Sequence, residues 1–156
     1  MERFQLRVTT GGVVEREGKI LMVHEHLHSK DPKGPIILTQ PSGHLESNEA
    51  ILDGLVREVW EETGYRVRPT ALIGIYQQQF QTNGAIRFSF VCELENANPP
   101  DPVKDPDVLE ALWLPIPEIK RRVAEFRLGA TAPTFDDYFA GKRYPLSLIQ
   151  YFDYRT

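Results

Sequence analysis

The chain has a single cysteine, Cys92, so an internal disulfide is excluded and a reducing compartment is the expectation. A small buried apolar role is the simple reading of that thiol. No stretch approaches the ~18 apolar residues of a membrane-spanning helix. The start, Met1-Glu2-Arg3-Phe4-Gln5-Leu6, also lacks the charged-then-apolar pattern of a secretory signal. A soluble cytoplasmic protein with no membrane partner is therefore expected. Positive charge is not in surplus either: 18 Lys and Arg stand against 22 Asp and Glu, for a formal net charge of -4. That balance argues against nucleic-acid polymers as partners, and a polyanionic small molecule would need a local cation. Internal repeats and low-complexity segments are missing too. What remains, 156 residues of which 41% are hydrophobic, suits one domain spanning 1–156 around one substantial core.

Hydrophobic periodicity supplies the elements. Alternating apolar residues from Phe4 to Val8, the pair Val13 and Val14, and the run Lys19 to Val23 predict strands, with Glu17-Gly18 at a hairpin turn. Residues 30–35 read as a loop and Ile36 to Thr39 as a short strand. From Asn48 to Thr63, Ile51, Leu52, Leu55, Val56, Val59 and Trp60 recur at helical spacing, and Gly64 stands where a left-handed residue can end the helix. Strands around Leu72–Phe80 and Ile86–Leu94 flank Thr82-Asn83-Gly84, a hairpin signal. Prolines 99, 100, 102 and 106 make 95–106 a stiff, exposed loop before a strand at Val108–Leu114. Beyond it, a C-terminal segment from about 115 to 156 reads as helical: Pro117 opens a helix with Ile119, Val123 and Phe126 on one side, and Phe135–Ala140 forms another. Strands alternating with helices make the class α/β with a mixed sheet.

The chemistry concentrates in Arg57-Glu58-Val59-Trp60-Glu61-Glu62. At about 100° per residue, Glu61 lies about 60° to one side of Glu58 and Glu62 about 40° to the other, so the three carboxylates share a helix face. Like charges at this spacing cost a few tenths of a kcal/mol per pair, and the negative end of the helix adds to the cost. Arg57 can relieve part of this through Glu61, four residues on, but one guanidinium cannot neutralise three carboxylates. A hard divalent cation can, and magnesium accepts a few carboxylates together with water and phosphate oxygens. A solvated acidic helix face is the plain alternative for these residues taken alone.

The surrounding spacing decides between the two. Gly43, five residues, Glu49, seven residues, Arg57-Glu58, Val59, Trp60, Glu61-Glu62, Thr63, Gly64 and Tyr65 form a pattern expected by chance on the order of once in 10⁸ starting positions. This pattern over 43–65 resembles the signature box of the Nudix hydrolases, with aromatic Tyr65 where an aliphatic residue is more usual. Outside the box, Pro41-Ser42-Gly43-His44-Leu45-Glu46 and Arg143-Tyr144-Pro145-Leu146-Ser147-Leu148-Ile149 are similar to segments of NudJ-type Nudix phosphatases.

The resemblance implies a Nudix-like α/β/α sandwich and a magnesium-dependent hydrolase of small diphosphate metabolites, with manganese able to substitute. It further implies that Glu58, Glu61, Glu62 and the Ser42 carbonyl hold the metal, that Glu58 activates water or also serves as a ligand, and that Arg57 and Glu49 form an orienting ion pair. The NudJ-like flanks imply a broad phosphatase. Its substrates would be nucleoside tri- and diphosphates and hydroxymethylpyrimidine or thiamine pyrophosphate, with release of orthophosphate. The alternatives are a housecleaning nucleoside triphosphate pyrophosphohydrolase and a non-catalytic nucleotide sensor; the acidic balance weighs against an RNA-decapping role. The quaternary expectation is a monomer or homodimer.

Other candidates lie outside the box. Arg87 could meet phosphate if its strand face looks into the cleft, His44 could touch substrate, and Glu110, Asp105 or Asp107 could add a ligand or base. Trp60 and Trp113 read as packing residues. His24, His26 and His28 alternate on one strand face, but no cysteine or paired histidine accompanies them to complete a zinc site.

Overall fold

A computed structural model of the protein describes residues 5–28, 31–98 and 100–155. Phe4, Lys30 and Pro99, assigned by sequence pattern to the first strand and to two loops, lie outside the described residues. The elements run β1 (Arg7–Arg16), β2 (Lys19–His26), β3 (Ile36–Thr39), β4 (Ser42–His44), α1 (Ile51–Thr63), β5 (Val67–Gln79), β6 (Gly84–Leu94), β7 (Val108–Pro115), α2 (Ile116–Arg121) and α3 (Thr131–Phe139). Single 3-10 turns lie at Val123–Glu125 and Leu146–Leu148.

The sheet is mixed: β1 runs parallel to β6, and every other pairing is antiparallel. β1 and β2 pair only next to their turn, at Glu15 with Ile20 and Arg16 with Lys19. That turn has Glu17 at φ 51° and Gly18 at φ 74°, two consecutive left-handed residues that suit a tight hairpin. Past it the strands part. β4 takes the edge of β1 from Thr9 to Gly11, β3 pairs with the far end of β2, and β7 covers the other edge of β2. The cleft so opened lies at the end of the sheet that receives the chain from β4 into α1.

The helices cover both faces. Leu55 and Val59 of α1 pack with Val14, Leu21, Leu72 and Phe90, while Ile119 of α2 and Phe135 and Tyr138 of α3 pack with Val13, Ile20, Met22 and Ile73. Successive residues such as Val13 and Val14 thus serve opposite cores, as the two-residue period of a strand requires. Fully burying a side chain such as Phe90 contributes about 1.5–3 kcal/mol. Cys92 is buried among the α1-side residues, and burial pushes its thiol up to about 12.

Several sequence expectations change in detail. The two segments expected around Gly11-Gly12 form one strand, because this pair is held between β4 and β6. α1 begins at Ile51, three residues later than expected, since Asn48 adopts φ 68° in the preceding turn. The β5–β6 turn spans 80–83, and Gly84 already pairs with Gln79. The helix expected to present Ile119, Val123 and Phe126 together stops at Arg121. Phe126 instead turns extended and bridges Leu38, so Ile119 and Phe126 are buried while Val123 stays exposed. The C-terminal segment is helical only in parts: after α3, Tyr144 pairs with Leu72 and residues 149–155 are irregular. Among the described residues no helix is long and apolar enough to cross a membrane.

Candidate active site

The cleft between the parted strands holds a cavity of about 470 Å³, lined by residues of β1, β2, β4, β6, α1 and three connecting segments. Glu58, Glu61 and Glu62 of α1 all line it, as their helical spacing requires. Glu62 is buried, and its Oε2 accepts the Ser42 N–H at 2.8 Å. Burial, assisted by the charges of Glu25, Glu58 and Asp105 and opposed by the Ser42 hydrogen bond, holds its pKa well above the usual carboxylate range. Glu58 is also raised, first by burial, with the neighbouring Arg57 acting against it.

Backbone economy brings Glu58 this close to β4. A Cβ at residue 43 would stand 2.2 Å from the Glu58 carboxylate carbon, so only glycine leaves room for it. At the other end of the helix Gly64 has φ 74° and donates its N–H to the Trp60 carbonyl. A side chain there would collide with the Asp101 backbone. The two box glycines thus serve close approach, and the second also supplies the left-handed helix end.

Arg57 ties the box together. Its Nε and Nη2 donate to the two Glu49 oxygens at 2.7 and 3.0 Å, Nη2 reaches the His44 carbonyl at 3.0 Å, and Nη1 reaches Glu58 at 2.8 Å and Glu61 at 3.1 Å. Glu49 also accepts the Glu46 N–H. The hydrogen bonds from Arg57 are the main reason the Glu49 carboxyl is held below the usual range. The fork clamps the loop before α1 onto the helix, the bidentate geometry a guanidinium provides.

Ser42, His44 and Arg87 also line the cavity. Arg87 is 8% exposed, and its Nε donates to Thr9 Oγ1 at 2.8 Å. Burial brings its pKa down to about 10. His44 is lowered by burial and by the charges of Arg7, Arg87 and Arg127, which favour its neutral form.

Glu110, by contrast, lies outside the cavity, mostly exposed and 3.5 Å from His24. Asp105 takes the place considered for it. The loop carrying Asp105 is exposed but docked on α1: Lys104 and Asp105 donate N–H groups to the Glu61 carbonyl, and Asp101 donates to Gly64. Asp107 does not line the cavity. Trp60, expected in the core, is half-buried beneath Arg66 and Lys104, with Nε1 bonded to Asp101. Trp113 does pack on the α1-side core, bonded to the Tyr65 hydroxyl. The three histidines do not converge: His24 meets Arg122, His26 has a buried ring nitrogen without a partner among the described residues, and His28 lies beyond the end of β2.

Thr9, Glu25 and Arg127 line the cavity and escaped the sequence reading. Glu25 stands between His24 and His26, so the alternation that groups the histidines turns Glu25 to the other face, into the site. Its partner Arg127, 102 residues away, carries no local signal.

Among the described residues no trio of His, Cys, Asp or Glu side chains is already gathered around one point as a metal site. The Arg57 bonds to Glu58 and Glu61 and the Ser42 bond to Glu62 hold these carboxylates apart. The donor chemistry nevertheless fits a hard divalent cation, because several carboxylates with raised or opposed charge face one polar cavity.

Comparison with known proteins agrees with this geometry. Residues 5–135 match the model of the NUDIX domain. The chain is 34% identical over 152 residues to the phosphatase NudJ of Shigella boydii, covering 97% of this chain and 95% of that protein, and equally to NudJ of Escherichia coli. Among solved structures, a NUDIX hydrolase from Nitrosomonas europaea superposes with a TM-score of 0.85 at 37% identity, over 97% of this chain and 100% of that one. A MutT protein from Methanosarcina mazei shares the fold with a TM-score of 0.70 at 17% identity, over 92% and 100% of the two chains. The box glycines, the Arg57 clamp and the three cavity glutamates are therefore features of a chain that belongs to the Nudix family, a hydrolase of phosphoric anhydride bonds.

Proposed function

We propose that the protein is a magnesium-dependent phosphatase of broad specificity, acting on nucleoside tri- and diphosphates and on hydroxymethylpyrimidine or thiamine pyrophosphate and releasing orthophosphate. The observation that carries this reading is the character of the cavity: carboxylates and Arg87 line it, and among the described residues no Phe, Tyr or Trp does. Such a site grips phosphates and offers little to stack on or read an organic group. Its discrimination among leaving groups is correspondingly shallow, because little is left unpaired when they change. The nearly full-length likeness to NudJ phosphatases supports the same choice. This reading takes the chain as one cytoplasmic domain, monomeric or homodimeric, working on small metabolites.

Glu58, Glu61, Glu62 and the Ser42 carbonyl would hold magnesium, or manganese in its place, which would neutralise the diphosphate and lower the pKa of water. Glu58 is the base in this scheme. Its burial raises its affinity for a proton toward the working pH, which favours proton transfer. It takes the proton of a water whose oxygen bonds to phosphorus; the bridging P–O bond breaks, and its electrons leave with the organic phosphate. Arg57 and Glu49 position Glu58 rather than touch substrate. Arg87 faces phosphate with its η nitrogens, Nε being committed to Thr9.

Turnover of a nucleoside triphosphate, a nucleoside diphosphate and hydroxymethylpyrimidine pyrophosphate, each followed separately for orthophosphate and pyrophosphate in isotope-labelled water, tests the proposal. Orthophosphate from all three, abolished by chelator, is expected. Exclusive pyrophosphate release would favour the housecleaning pyrophosphohydrolase. Preference for one substrate by more than about 10⁴ would contradict shallow selectivity, and full activity in excess chelator would overturn the metal assignment.

A further inference from the structure

Arg127 lies in the segment between the 3-10 turn and α3, far from the box, and yet lines the same cavity as Glu58 and Glu62. Its position is held twice. The Arg127 N–H donates to the Leu38 carbonyl at 3.1 Å, next to the bridge between Leu38 and Phe126, and its Nη2 donates to Glu25 Oε1 at 2.5 Å. Glu25 is 8% exposed, so its carboxylate is largely withdrawn from water, while the Arg127 side chain, 36% exposed, lies at the mouth of the cavity it lines.

Two guanidiniums therefore share one polar cavity. Among the described residues, the side chain of Arg87 makes a single hydrogen bond, through Nε to Thr9, and that of Arg127 a single one, to Glu25. A guanidinium has several N–H donors in a planar fork, and most of those on this pair remain available to the cavity. Arg87 keeps only 8% of its surface exposed, and its side chain lines the cavity. The two positive charges also repel each other, which contributes to the lowered pKa of Arg87. An anion with several oxygens would relieve both the unpaired donors and the repulsion.

We infer that Arg87 and Arg127 form a two-armed clamp on the terminal phosphate of the substrate, that Glu25 is the positioning residue for the second arm, and that this clamp selects substrates whose last phosphate is uncapped. A terminal phosphate exposes three non-bridging oxygens and the larger charge, enough for two guanidiniums in addition to the carboxylate-bound side of the site. A phosphate esterified at both ends offers two such oxygens and one charge. The inference deepens the phosphatase reading and rests on it: attack at a clamped terminal phosphorus forms the bond from water to that atom, breaks the bridge to the next phosphate, and releases orthophosphate.

The test uses the full-length protein with magnesium and the variants Arg127→Ala, Arg127→Lys, Glu25→Gln and the double variant Arg127→Ala/Glu25→Gln. Binding of a β,γ-imido nucleoside triphosphate and of ADP-ribose, capped at both phosphates, is measured by calorimetry, alongside kcat and KM on the hydrolysable triphosphate. Arg127→Ala should weaken triphosphate-analogue binding about ten- to a hundredfold, as loss of charged hydrogen bonds does, and ADP-ribose binding far less. Arg127→Lys should restore part of the loss. Glu25→Gln should show a smaller loss of the same selectivity, one that disappears when Arg127 is already alanine. Equal weakening of both ligands by Arg127→Ala, or none, would overturn the clamp. Because binding is read apart from turnover, pyrophosphate release by the wild type would sink the phosphatase reading while the binding ratio still decides the clamp.

Discussion

The helix side of the cavity and its strand side are built in opposite ways. On the helix side, Arg57 meets Glu58, Glu61 and Glu49 at separations of one, four and eight residues. On the strand side, Thr9 meets Arg87 across 78 residues and Glu25 meets Arg127 across 102. The helix side places an excess of negative charge by local geometry alone. The strand side delivers positive charge to the same space only once β1, β2, β6 and the segment before α3 have come together. In the proposed scheme, chemistry that needs carboxylates at set distances falls to one helix, while grip on the substrate falls to parts that can vary without disturbing it.

The sharpest way to break the helix side is at its base. Glu58→Gln should lower kcat by about 10²–10⁴ with a much smaller change in substrate affinity, since proton transfer is lost chiefly in the transition state. Rapid-quench turnover with separate binding measurements checks this. An unchanged kcat would move the base to Asp105, the other cavity carboxylate that α1 holds in place through the Glu61 carbonyl.

A smaller effect is expected from the clamp behind the base. Arg57→Lys keeps the charge but cannot make the forked contacts to Glu49, Glu58, Glu61 and the His44 carbonyl together. Activity should fall about 10- to 100-fold, as for other groups that orient metal ligands, and the metal concentration giving half-maximal activity should rise. Wild-type metal dependence in this variant would reduce Arg57 to a packing role.

The smallest effect is on stability and reads the cost of burying the Glu62 carboxylate, to which the neighbouring charges add. The pKa of Glu62 in the folded protein lies well above its ordinary value of 4.5, so the native state keeps a proton that the unfolded chain has released. Its stabilising contribution is complete below the unfolded value and is lost as pH rises through the folded one. In metal-free buffer, Glu62→Gln should therefore melt a few degrees higher relative to wild type at pH 8 than at pH 4.5, by roughly 3 °C for each kcal/mol of relieved desolvation and repulsion. A difference that stays constant with pH would mean the carboxylate is already compensated. The expected sign holds only without metal, because a bound cation stabilises the ionised wild type.

The sequence was most readable where periodicity and function coincide. The hairpin at Glu17-Gly18, β3, α1 and the Gly64 terminus follow from local pattern, and the structure has them within a few residues. The reading failed where a tertiary contact overrides propensity. Residues 116–126 carry a helical apolar spacing, yet Phe126 is drawn out to bridge Leu38, and the helix ends early. Glu110 and Asp105 show the same limit in the site itself. Strand alternation turns Glu110 toward His24, while hydrogen bonds to the Glu61 carbonyl bring Asp105, from a loop with no regular pattern, to the cavity.

By itself, the sequence determined the family, the acidic face of α1 and the left-handed helix end at Gly64, because helical geometry converts spacing into position without reference to the rest of the chain. Tertiary structure alone decided that Arg87 turns into the cleft, that Glu25 rather than the histidines beside it faces the site, and that Arg127 joins them. Those placements depend on which strands pair, in what register and where β1 and β2 part, which are long-range properties that no local spacing encodes.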